Sequence, residues 1–429
     1  MWIPVGYFYE LASVYTIVGC AIDKGELMQL PYKVLYAEAV YDEEEIEAVV
    51  QVLRSQRVDL MLSSNTKLLE DKVANIFGNK YGIMVNSGSS ANLLAVQSLK
   101  VPTGSQVITP ALTFATTVAP IVQSGLTPVF VDVNYSTFCV DPESVLSQIT
   151  EKTSALMIPN LFGNIPDWIR LNEIATEYGL KTIQDSADTI GSTLENRPVG
   201  EFSHLSTTSF YASHIVTGAG FGGMVLTDSE EFRDTSQLLR GWGRQSSLMN
   251  ETNDIKERLE YKLDGIRYDA KYVFRELGYN FLPSEISAAF ALVQLGKLET
   301  NMRIRERNFD FMSSIFGEYS EYFELPHRAS NSRSAWLAYP ILIRKEAPFQ
   351  RFQMQEFFER MEIQTRTVFT GNILRQPAMQ GLSFIGSPKD FPNSDRIMES
   401  GIVLGCHHGM TDSQLEYVQL VLRDFVKSI

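Results

Sequence analysis

Short apolar runs alternate with stretches of helical pattern between residues 81 and 187, and this alternation restricts the fold more than any other feature. The apolar runs, each of strand length, are YGIMVNS, SQVITPAL, TPVFVDV, SALMIPNLFG and KTIQDSA. Stretches such as ANLLAVQSL and WIRLNEIATEYG separate them. Strands that alternate with helices in this way favour βαβ units around a mostly parallel sheet, so the sequence predicts an α/β fold.

The pattern changes towards the carboxyl terminus, where Glu285 to Phe316 predict one long or broken helix. Residues 335–429 then predict a smaller α+β unit. We expect an N-terminal extension at 1–40, a large domain at 41–300 and a small C-terminal domain at 301–429. The large domain should begin with a helix from Asp42, because DEEEIEAVVQVLRS carries acids in its first turn, where the helix dipole favours them.

Composition and charge limit the partners. The 429 residues are 44% apolar and 21% charged, an ordinary globular balance, and the net charge of −14 argues against a nucleic-acid surface. The apolar segment 11–22 is too short to span a bilayer and has no Lys or Arg before it, so we expect no membrane span and no signal peptide. Three distant cysteines, Cys20, Cys139 and Cys406, favour a reducing compartment and hence the cytoplasm.

Four local features follow predicted strands, where open α/β sheets bind their ligands. The first is Asn86–Asn92, NSGSSAN, whose small residues and helix start suit an anion such as phosphate. By itself this stretch is more often a plain turn and helix cap. The second is Phe114 in LTFATT, which is either a core aromatic or a ring that stacks on a flat heteroaromatic cofactor.

The third feature is Asp185 in QDSAD, at the end of the strand KTIQD. It either caps a turn or supplies the carboxylate that keeps a pyridine nitrogen protonated. The fourth is His214, which follows SFYAS and precedes the glycine-rich loop GAGFGG. A single histidine is more often structural than catalytic, so this feature also carries little weight alone.

Together, in this order and spacing, the four features resemble the DegT/DnrJ/EryC1/StrS family of sugar aminotransferases from about residue 40 to the end of the chain. The resemblance implies the fold-type I aspartate aminotransferase architecture. A large domain with a mostly parallel seven-stranded sheet would then be joined to a smaller α+β C-terminal domain. It also implies pyridoxal or pyridoxamine phosphate as the cofactor.

The resemblance assigns cofactor contacts residue by residue. The residues it implies as cofactor contacts are Gly88, Ser89, Ser90 and Ser209 around the phosphate, Phe114 over the ring, Asp185 at the pyridine nitrogen, Asp188, and Asn280 of the Gly278–Asn280 motif. In this family the asparagine of that motif reaches the phosphate of the neighbouring subunit. A homodimer is therefore implied.

The main departure from the family is His214, because ordinary members carry a Schiff-base lysine at this position. Imidazole has no primary amine and cannot bind pyridoxal phosphate covalently. Either the protein is inactive, or the cofactor is held non-covalently as pyridoxamine phosphate.

Further stretches resemble the sugar 3-dehydrase branch, whose members carry a histidine in place of the lysine. They are Thr365–Met379, Asp269–Asn280 and Asn393–Gly405, and Tyr211 also matches. Enzymes of this branch remove the C3 hydroxyl of nucleotide-linked 4-keto-6-deoxyhexoses on the way to 3,6-dideoxysugars. The first stretch supplies two candidate substrate contacts, Arg366 and Asn372.

The branch has two designs, one with a [2Fe–2S] cluster fed by a reductase and one that uses glutamate to regenerate its amine. The long motifs here follow the first design, yet the cluster region GWGRQSSLMNETND has no Cys and Ala187 stands where the remaining cluster Cys would lie. Three cysteines cannot supply the four thiolates of an ordinary cluster. We therefore expect no iron–sulfur cluster, no other metal, and glutamate as the amino donor.

These features predict a pyridoxamine phosphate-dependent 3-dehydratase acting on a nucleotide-linked 4-keto-6-deoxyhexose. His214 would be the base, with Asp185 and Tyr211 as further catalytic residues. Two alternatives remain at this point: a nucleotide-sugar aminotransferase, and a non-catalytic paralogue that kept the fold.

Overall fold

The computed structural model describes residues 33–55, 60–248 and 255–429. The apolar segment 11–22 and Cys20 lie outside these residues, so what the sequence predicts for them stays a prediction. Within the described ranges, no helix is both long enough and apolar enough to cross a membrane.

Fifteen strands occur in the described residues. They are β1 (Tyr81–Val85), β2 (Gln106–Pro110), β3 (Thr127–Val131), β4 (Thr153–Pro159), β5 (Lys181–Asp185), β6 (Thr193–Leu194), β7 (Arg197–Pro198), β8 (Leu205–Ser209), β9 (Gly223–Thr227), β10 (Lys262–Leu263), β11 (Ile266–Arg267), β12 (Phe323–Glu324), β13 (Ser332–Arg333), β14 (Tyr339–Ile343) and β15 (Gly401–Leu404). The five predicted apolar runs are β1 to β5.

The large sheet has seven strands in the order β1-β9-β8-β5-β4-β2-β3. Strand β9 pairs antiparallel with both β1 and β8, and the other pairings in this sheet are parallel. Strands β2, β8 and β9 are buried at every position, as expected of a sheet covered by helices on both faces. The predicted mostly parallel, seven-stranded sheet is therefore confirmed.

Helices cover the sheet and connect its strands. The α-helices are α1 (Glu43–Ser55), α2 (Ser64–Phe77), α3 (Gly88–Ser98), α4 (Ala115–Gln123), α5 (Pro142–Leu146), α6 (Trp168–Glu177), α7 (Glu230–Arg240), α8 (Ile255–Leu259), α9 (Glu285–Gly317), α10 (Arg351–Arg360), α11 (Pro392–Ser400) and α12 (Asp412–Lys427). Short 3₁₀ helices lie at Leu161–Gly163, Val199–Phe202, Gln245–Leu248, Ala270–Tyr272, Ile373–Arg375, Pro377–Met379 and Pro388–Asp390. The acid-rich start predicted at residue 42 is confirmed by α1, with three glutamates in its first turn.

Helix α9 runs unbroken for 33 residues and joins the two parts of the chain. After it comes a three-stranded antiparallel sheet in the order β12-β14-β15. One continuous apolar core includes residues of the large sheet, α9 and the C-terminal strands. Since α9 passes through residue 300, the division into domains at 41–300 and 301–429 stays a proposal.

The described part of the N-terminal segment, residues 33–40, lies against the C-terminal part of the chain. Val34 forms a parallel bridge with Ile363, just after α10. The Nε2 of His407 lies 3.2 Å from the carbonyl oxygen of Leu35. This segment therefore spans from α10 and β15 back to the start of the large domain at α1.

Candidate active site

A cavity of about 470 Å³ opens at the carboxyl ends of β1, β2, β4, β5 and β8, a volume typical of a small-molecule site. Carboxyl ends of parallel strands meet at one edge of the sheet, so residues far apart in sequence converge there. Eight predicted site residues line it: Gly88, Ser89, Phe114, Asp185, Asp188, Ser209, Tyr211 and His214. The other four, Ser90, Asn280, Arg366 and Asn372, are not part of its lining.

Asp185, the last residue of β5, is a buried carboxylate with fixed partners. Its Oδ2 accepts hydrogen bonds from Asn92 Nδ2 and Thr117 Oγ1, each at 2.8 Å, and its Oδ1 accepts one from the Ala187 N–H at 3.3 Å. Burial raises the pKa of Asp185, while the three donors oppose that rise. A protonated pyridine nitrogen beside this carboxylate would also lower the pKa of Asp185. The ionised carboxylate in turn favours the protonated form of that nitrogen, so the site suits a protonated pyridine ring.

An anion cradle lies where β1 meets α3. Ser87 caps the helix, since its Oγ accepts the Ser90 N–H at 3.1 Å, and the next two residues face the cavity. A Cβ on Gly88 would lie 2.8 Å from Ser209 Cβ, and one on Gly223 would lie 2.4 Å from the Ser87 backbone. Only glycine allows this close approach at the two positions. It brings the N–H groups at the start of α3 beside the hydroxyls of Ser89 and Ser209. This arrangement suits a phosphate.

Phe114 follows β2 and is 51% exposed, although it lies in the wall of a cavity. Its ring meets the edge of Phe369 at 6.1 Å, and Phe369 stacks on Phe162 at 4.4 Å between centroids. One face of Phe114 is therefore supported while the ring remains accessible to a ligand. This arrangement suits a flat heteroaromatic cofactor.

His214 lies in the loop between β8 and β9. The Phe210 N–H donates to the Gly222 carbonyl at 2.9 Å, and the Gly218 N–H donates to the Phe210 carbonyl at 2.9 Å. These two bonds close the base of the loop onto the sheet. The ring of Tyr211, 56% exposed, meets the His214 ring edge-on at 6.1 Å.

The protonation of the His214 ring follows from its partner. Its Nδ1 lies 2.8 Å from the carbonyl oxygen of Ala187. A carbonyl oxygen only accepts, so Nδ1 carries the proton and Nε2 of the neutral ring keeps its lone pair. Burial lowers the pKa of His214 to about 4. The imidazole is therefore a neutral base at physiological pH, with Nε2 as the basic atom.

Asp188 is the second carboxylate in the lining. Its Oδ2 accepts the Phe162 N–H at 3.0 Å, and its Oδ1 lies 3.9 Å from His214 Nδ1. Burial first, and then the charge of Asp185, raise the pKa of Asp188 to about 7. A proton gained by His214 would pair with this carboxylate, raising the pKa of the imidazole and lowering that of the acid.

Arg305, from the middle of α9, is fully buried behind the cavity. Its Nε donates to His408 Nδ1 at 3.0 Å, and its Nη1 donates to the carbonyls of Trp336 and Leu337 at 3.1 Å. Burial lowers the pKa of Arg305 to about 10, and its positive charge lowers the pKa of Asp188. This cation opposes the protonation of Asp188 from behind the cavity.

Two predicted residues have structural contacts instead of cavity positions. Ser90 is buried, with its Oγ 3.0 Å from Ser87 Oγ in the helix cap. Asn372 is fully buried, and its Nδ2 donates to the Pro388 carbonyl and to Asp395 Oδ1. Asn372 therefore does not line the cavity, and its amide links the 3₁₀ helix at Pro388–Asp390 to helix α11.

Asn280 and Arg366 lie at the surface. Asn280 is exposed and pairs through its backbone with Gly241, and it does not line the cavity of its own chain. Arg366 donates from Nη1 to the Thr365 carbonyl, and its Cζ lies 5.4 Å from the ring centroid of Tyr36. Tyr36 lines the cavity and Arg366 does not. Arg366 is therefore connected to the cavity through its contact with the Tyr36 ring.

Sequence reasoning missed several residues that shape the site: Tyr36, Asn92, Thr117 and Arg305. Asn92 lies one helical turn after Gly88, and Thr117 lies three residues after Phe114. Helical spacing from the two predicted residues could have indicated both. Tyr36 and Arg305 come from an N-terminal segment and a long helix, and no local pattern distinguishes them.

The cavity fits pyridoxal or pyridoxamine phosphate, since it combines a fixed carboxylate, an accessible aromatic ring and a glycine-opened anion cradle. Of the described residues that line it, none is a lysine. The residues present therefore suit a non-covalently held cofactor.

The described residues contain no cluster of three or more His, Cys, Asp or Glu arranged to hold a metal. Cys139 and Cys406 are buried, and burial raises the pKa of each thiol to about 12. Both are neutral thiols at physiological pH when no metal is bound. Part of the expected cluster region, residues 249–254, lies outside the described residues.

Comparison with known proteins identifies relatives over nearly the whole chain. Residues 40–423 match the sequence profile of the DegT/DnrJ/EryC1/StrS aminotransferase family. A dTDP-4-dehydro-2,6-dideoxy-D-glucose 3-dehydratase from Saccharopolyspora spinosa is 36% identical over 90% of this chain and 85% of its own length. A GDP-4-keto-6-deoxy-D-mannose 3-dehydratase from Escherichia coli O55:H7 is 28% identical over 90% of this chain and 98% of its own length.

Solved structures show the same architecture. A GDP-4-keto-6-deoxymannose-3-dehydratase with a trapped PLP-glutamate geminal diamine matches with a TM-score of 0.81 at 26% identity. The match covers 91% of this chain and 100% of that one. The predicted aminotransferase-like architecture is confirmed by this match and by the seven-stranded sheet.

Proposed function

We propose that this chain, which belongs to the DegT/DnrJ/EryC1/StrS aminotransferase family, is a pyridoxamine phosphate-dependent 3-dehydratase of nucleotide-linked 4-keto-6-deoxyhexoses. The observation that carries the proposal is the neutral imidazole of His214, with Nδ1 bonded to the Ala187 carbonyl and Nε2 available as a base. A lysine at this position would support transamination through a covalent bond to the cofactor. A histidine can move protons but cannot form that bond.

The protein supplies binding and orientation. The helix start at Gly88 and Ser89, with Ser209, binds the cofactor phosphate, and Phe114 packs on the ring. Asp185 keeps the ring nitrogen protonated from the opposite end of the site. When bound, pyridoxamine phosphate supplies an amine for the C4 ketone and a ring that accepts electrons.

His214 moves the proton. With the cofactor bound, its Nε2 would take a proton at the cofactor methylene, and the Ala187 carbonyl would hold the ring in position as the charge develops. Asp188, 3.9 Å from Nδ1, stabilises the imidazolium that forms. The same Nε2 then returns the proton to the departing C3 hydroxyl, which leaves as water.

Turnover requires that the amine be restored, and we assign this role to glutamate. A related dehydratase has been solved with a trapped PLP-glutamate geminal diamine, so glutamate chemistry occurs in this fold. The three cysteines of the chain leave no ordinary cluster to admit electrons. Amino transfer from glutamate to the cofactor, with His214 moving the protons, is the route that the described residues support.

A homodimer completes the site in this proposal. Asn280 is exposed and outside the cavity of its own chain, which suits a contact to the partner's phosphate. Apolar side chains near it are also exposed, with Leu277 at 98% and Phe274 at 56%. Such a patch favours a protein interface. The few separated cysteines favour a reducing compartment, and we propose the cytoplasm.

The test is a panel of CDP-, GDP-, UDP- and dTDP-linked 4-keto-6-deoxyhexoses incubated with enzyme, pyridoxamine phosphate and glutamate. Mass spectrometry should show a product that has lost one oxygen atom and gained no nitrogen, with glutamate converted to 2-oxoglutarate. An aminotransferase would instead give an amino sugar. An unchanged panel, with cofactor bound, would support the non-catalytic paralogue.

A further inference from the structure

We propose that Tyr36, from the segment before the large domain, contacts the sugar substrate and donates a hydrogen bond to one of its oxygens. The inference rests on the proposed function, because the sugar is the partner it names. Tyr36 lines the cavity together with Asp188 and His214, although it lies nearly 180 residues earlier in the chain than His214. Its place in the fold, its unused hydroxyl and its surroundings each support this role.

The backbone of this segment is fixed by the C-terminal part of the protein. The Gln364 N–H donates to the Val34 carbonyl at 2.9 Å, and the Tyr36 N–H donates to Gln364 Oε1 at 3.1 Å. His407 Nε2 lies 3.2 Å from the Leu35 carbonyl oxygen. These contacts on both sides of the segment fix the backbone from which the Tyr36 side chain projects into the cavity.

The segment lies close to the C-terminal part of the chain, and the Tyr36 ring has a contact of its own there. A Cβ on Gly405 would lie 2.5 Å from the Leu35 carbonyl oxygen and 3.0 Å from the Tyr36 carbonyl oxygen, so only glycine admits the segment at this distance. The guanidinium carbon of Arg366 lies 5.4 Å from the ring centroid of Tyr36, within cation–π range. The ring is therefore held without any use of its hydroxyl.

No hydrogen bond to the Tyr36 hydroxyl occurs within the described residues, although this side chain is partly buried. A buried phenol normally finds a hydrogen-bond partner. Burial and the nearby Asp188 raise the pKa of Tyr36, so the phenol keeps its proton at physiological pH. It is a neutral donor at the cavity wall and is available to a ligand.

The chemistry of the lining favours a sugar oxygen as that partner. The cofactor phosphate and ring nitrogen already have matching groups at Ser209 and Asp185. The wall near Tyr36 includes the apolar Leu337 and Phe369 and the proton acceptor Asp188. The Tyr36 hydroxyl can therefore act together with the Tyr211 and Ser213 hydroxyls, which also line the cavity, in holding a keto or hydroxyl oxygen beside His214.

The experiment compares wild type with Tyr36→Phe and with Tyr41→Phe as a matched control. The first change keeps the ring that packs on Arg366 and removes only the hydroxyl. Tyr41 lies five residues further on, is 54% exposed, and contacts Phe290 through its ring at 5.4 Å. Each holoenzyme is assayed for kcat/KM with the 4-keto sugar that wild type consumes, and separately for the absorbance change produced by glutamate alone.

Tyr36→Phe should lower kcat/KM for the sugar about tenfold while the glutamate half-reaction stays within about twofold, because one neutral hydrogen bond to the sugar is lost. Tyr41→Phe should match wild type in both assays. Equal sugar kinetics in Tyr36→Phe and wild type would overturn the inference. Equal slowing of both half-reactions with weaker cofactor binding would assign Tyr36 a structural role and overturn it as well. A wild type that consumes none of the sugars would overturn the proposed function, and this inference with it.

Discussion

The Nδ1 of His214 donates its proton to the carbonyl oxygen of Ala187 over 2.8 Å. The backbone of Ala187 therefore orients the base. The bond leaves Nε2 as the basic atom of the ring. The orientation of the His214 base therefore depends on the backbone carbonyl of residue 187 and not on the side chain at that position.

We predict that the cofactor forms no covalent bond with the wild-type chain. Protein loaded with pyridoxal phosphate and treated with borohydride should carry no pyridoxyl group, because imidazole has no primary amine and no described cavity residue is a lysine. Peptide mass spectrometry measures the label. His214→Lys is the matched control and should become labelled at position 214. A labelled lysine in the wild type would contradict the prediction.

Replacement of the base should slow both half-reactions. His214→Asn should lower the sugar and glutamate rates by roughly 10²–10⁴, because asparagine cannot exchange a proton with the cofactor carbon. Cofactor affinity should change little, since the anion cradle and Asp185 remain. Stopped-flow absorbance measures each half-reaction, and equilibrium titration measures binding. Loss of only one half-reaction would show that a second base serves the other.

Acid should destabilise the fold through two buried histidines. Burial lowers the pKa of His407 to about 4 and that of His408 to about 3, against an ordinary value of about 6.5. Below pH 6.5 the unfolded chain binds protons that the folded chain does not. The free energy of unfolding should therefore fall as pH drops from about 6.5 to about 4, by about 1.4 kcal/mol per pH unit for each histidine.

His408→Asn tests this assignment. The asparagine Oδ1 can accept the Arg305 Nε–H bond that His408 Nδ1 accepts at 3.0 Å, but it does not titrate. Urea unfolding at about pH 7.5 and about pH 5.5 should show a smaller loss of stability in the variant than in wild type. An equal loss in both proteins would mean that His408 does not contribute.

The protein should be purified without stoichiometric iron, even under anaerobic conditions. The chain has three cysteines, and the two that the structure describes are buried neutral thiols. An ordinary cluster needs four thiolate ligands. Metal analysis and the visible spectrum measure this directly. Two iron atoms per chain, with charge-transfer bands, would refute the prediction and support an electron-fed turnover.

Two inactive variants should restore activity when they are mixed as a dimer. Asn280→Ala removes the proposed contact to the partner's phosphate, and His214→Asn removes the base. In a heterodimer, one of the two sites keeps both groups. Activity of tagged, purified heterodimers measures the effect. Heterodimers that stay inactive would indicate that each site is built from a single chain.

The fold was largely predictable because β1 to β5 are apolar runs separated by helical stretches. Strand β8 was not, since its sequence LSTTS is polar although every residue is buried. Several of its hydroxyls bond inside the protein, for example Thr207 Oγ1 to Asn92 Oδ1 at 2.5 Å. Hydrophobic periodicity does not detect such a strand.

The site was predictable where function depends on position in a local motif, as for Asp185 at a strand end. It was not predictable where tertiary packing brings distant residues together. Arg305 lies within a charged stretch of α9 that suggests a solvated face, yet the side chain is fully buried. Asn372 shows the opposite case, because its motif suggested substrate binding and its amide is used in packing.

The absence of lysine from the described lining of the cavity also affects how the enzyme depends on its cell. A lysine re-forms its covalent bond with the cofactor in each turnover, whereas a cofactor that is bound only reversibly can leave after each. The fraction of working enzyme then follows the free supply of the vitamin B6-derived cofactor by mass action, and so does the stability gained from binding it. Scarcity of that nutrient would therefore reduce both the activity and the lifetime of this protein before it affected a lysine-bearing relative.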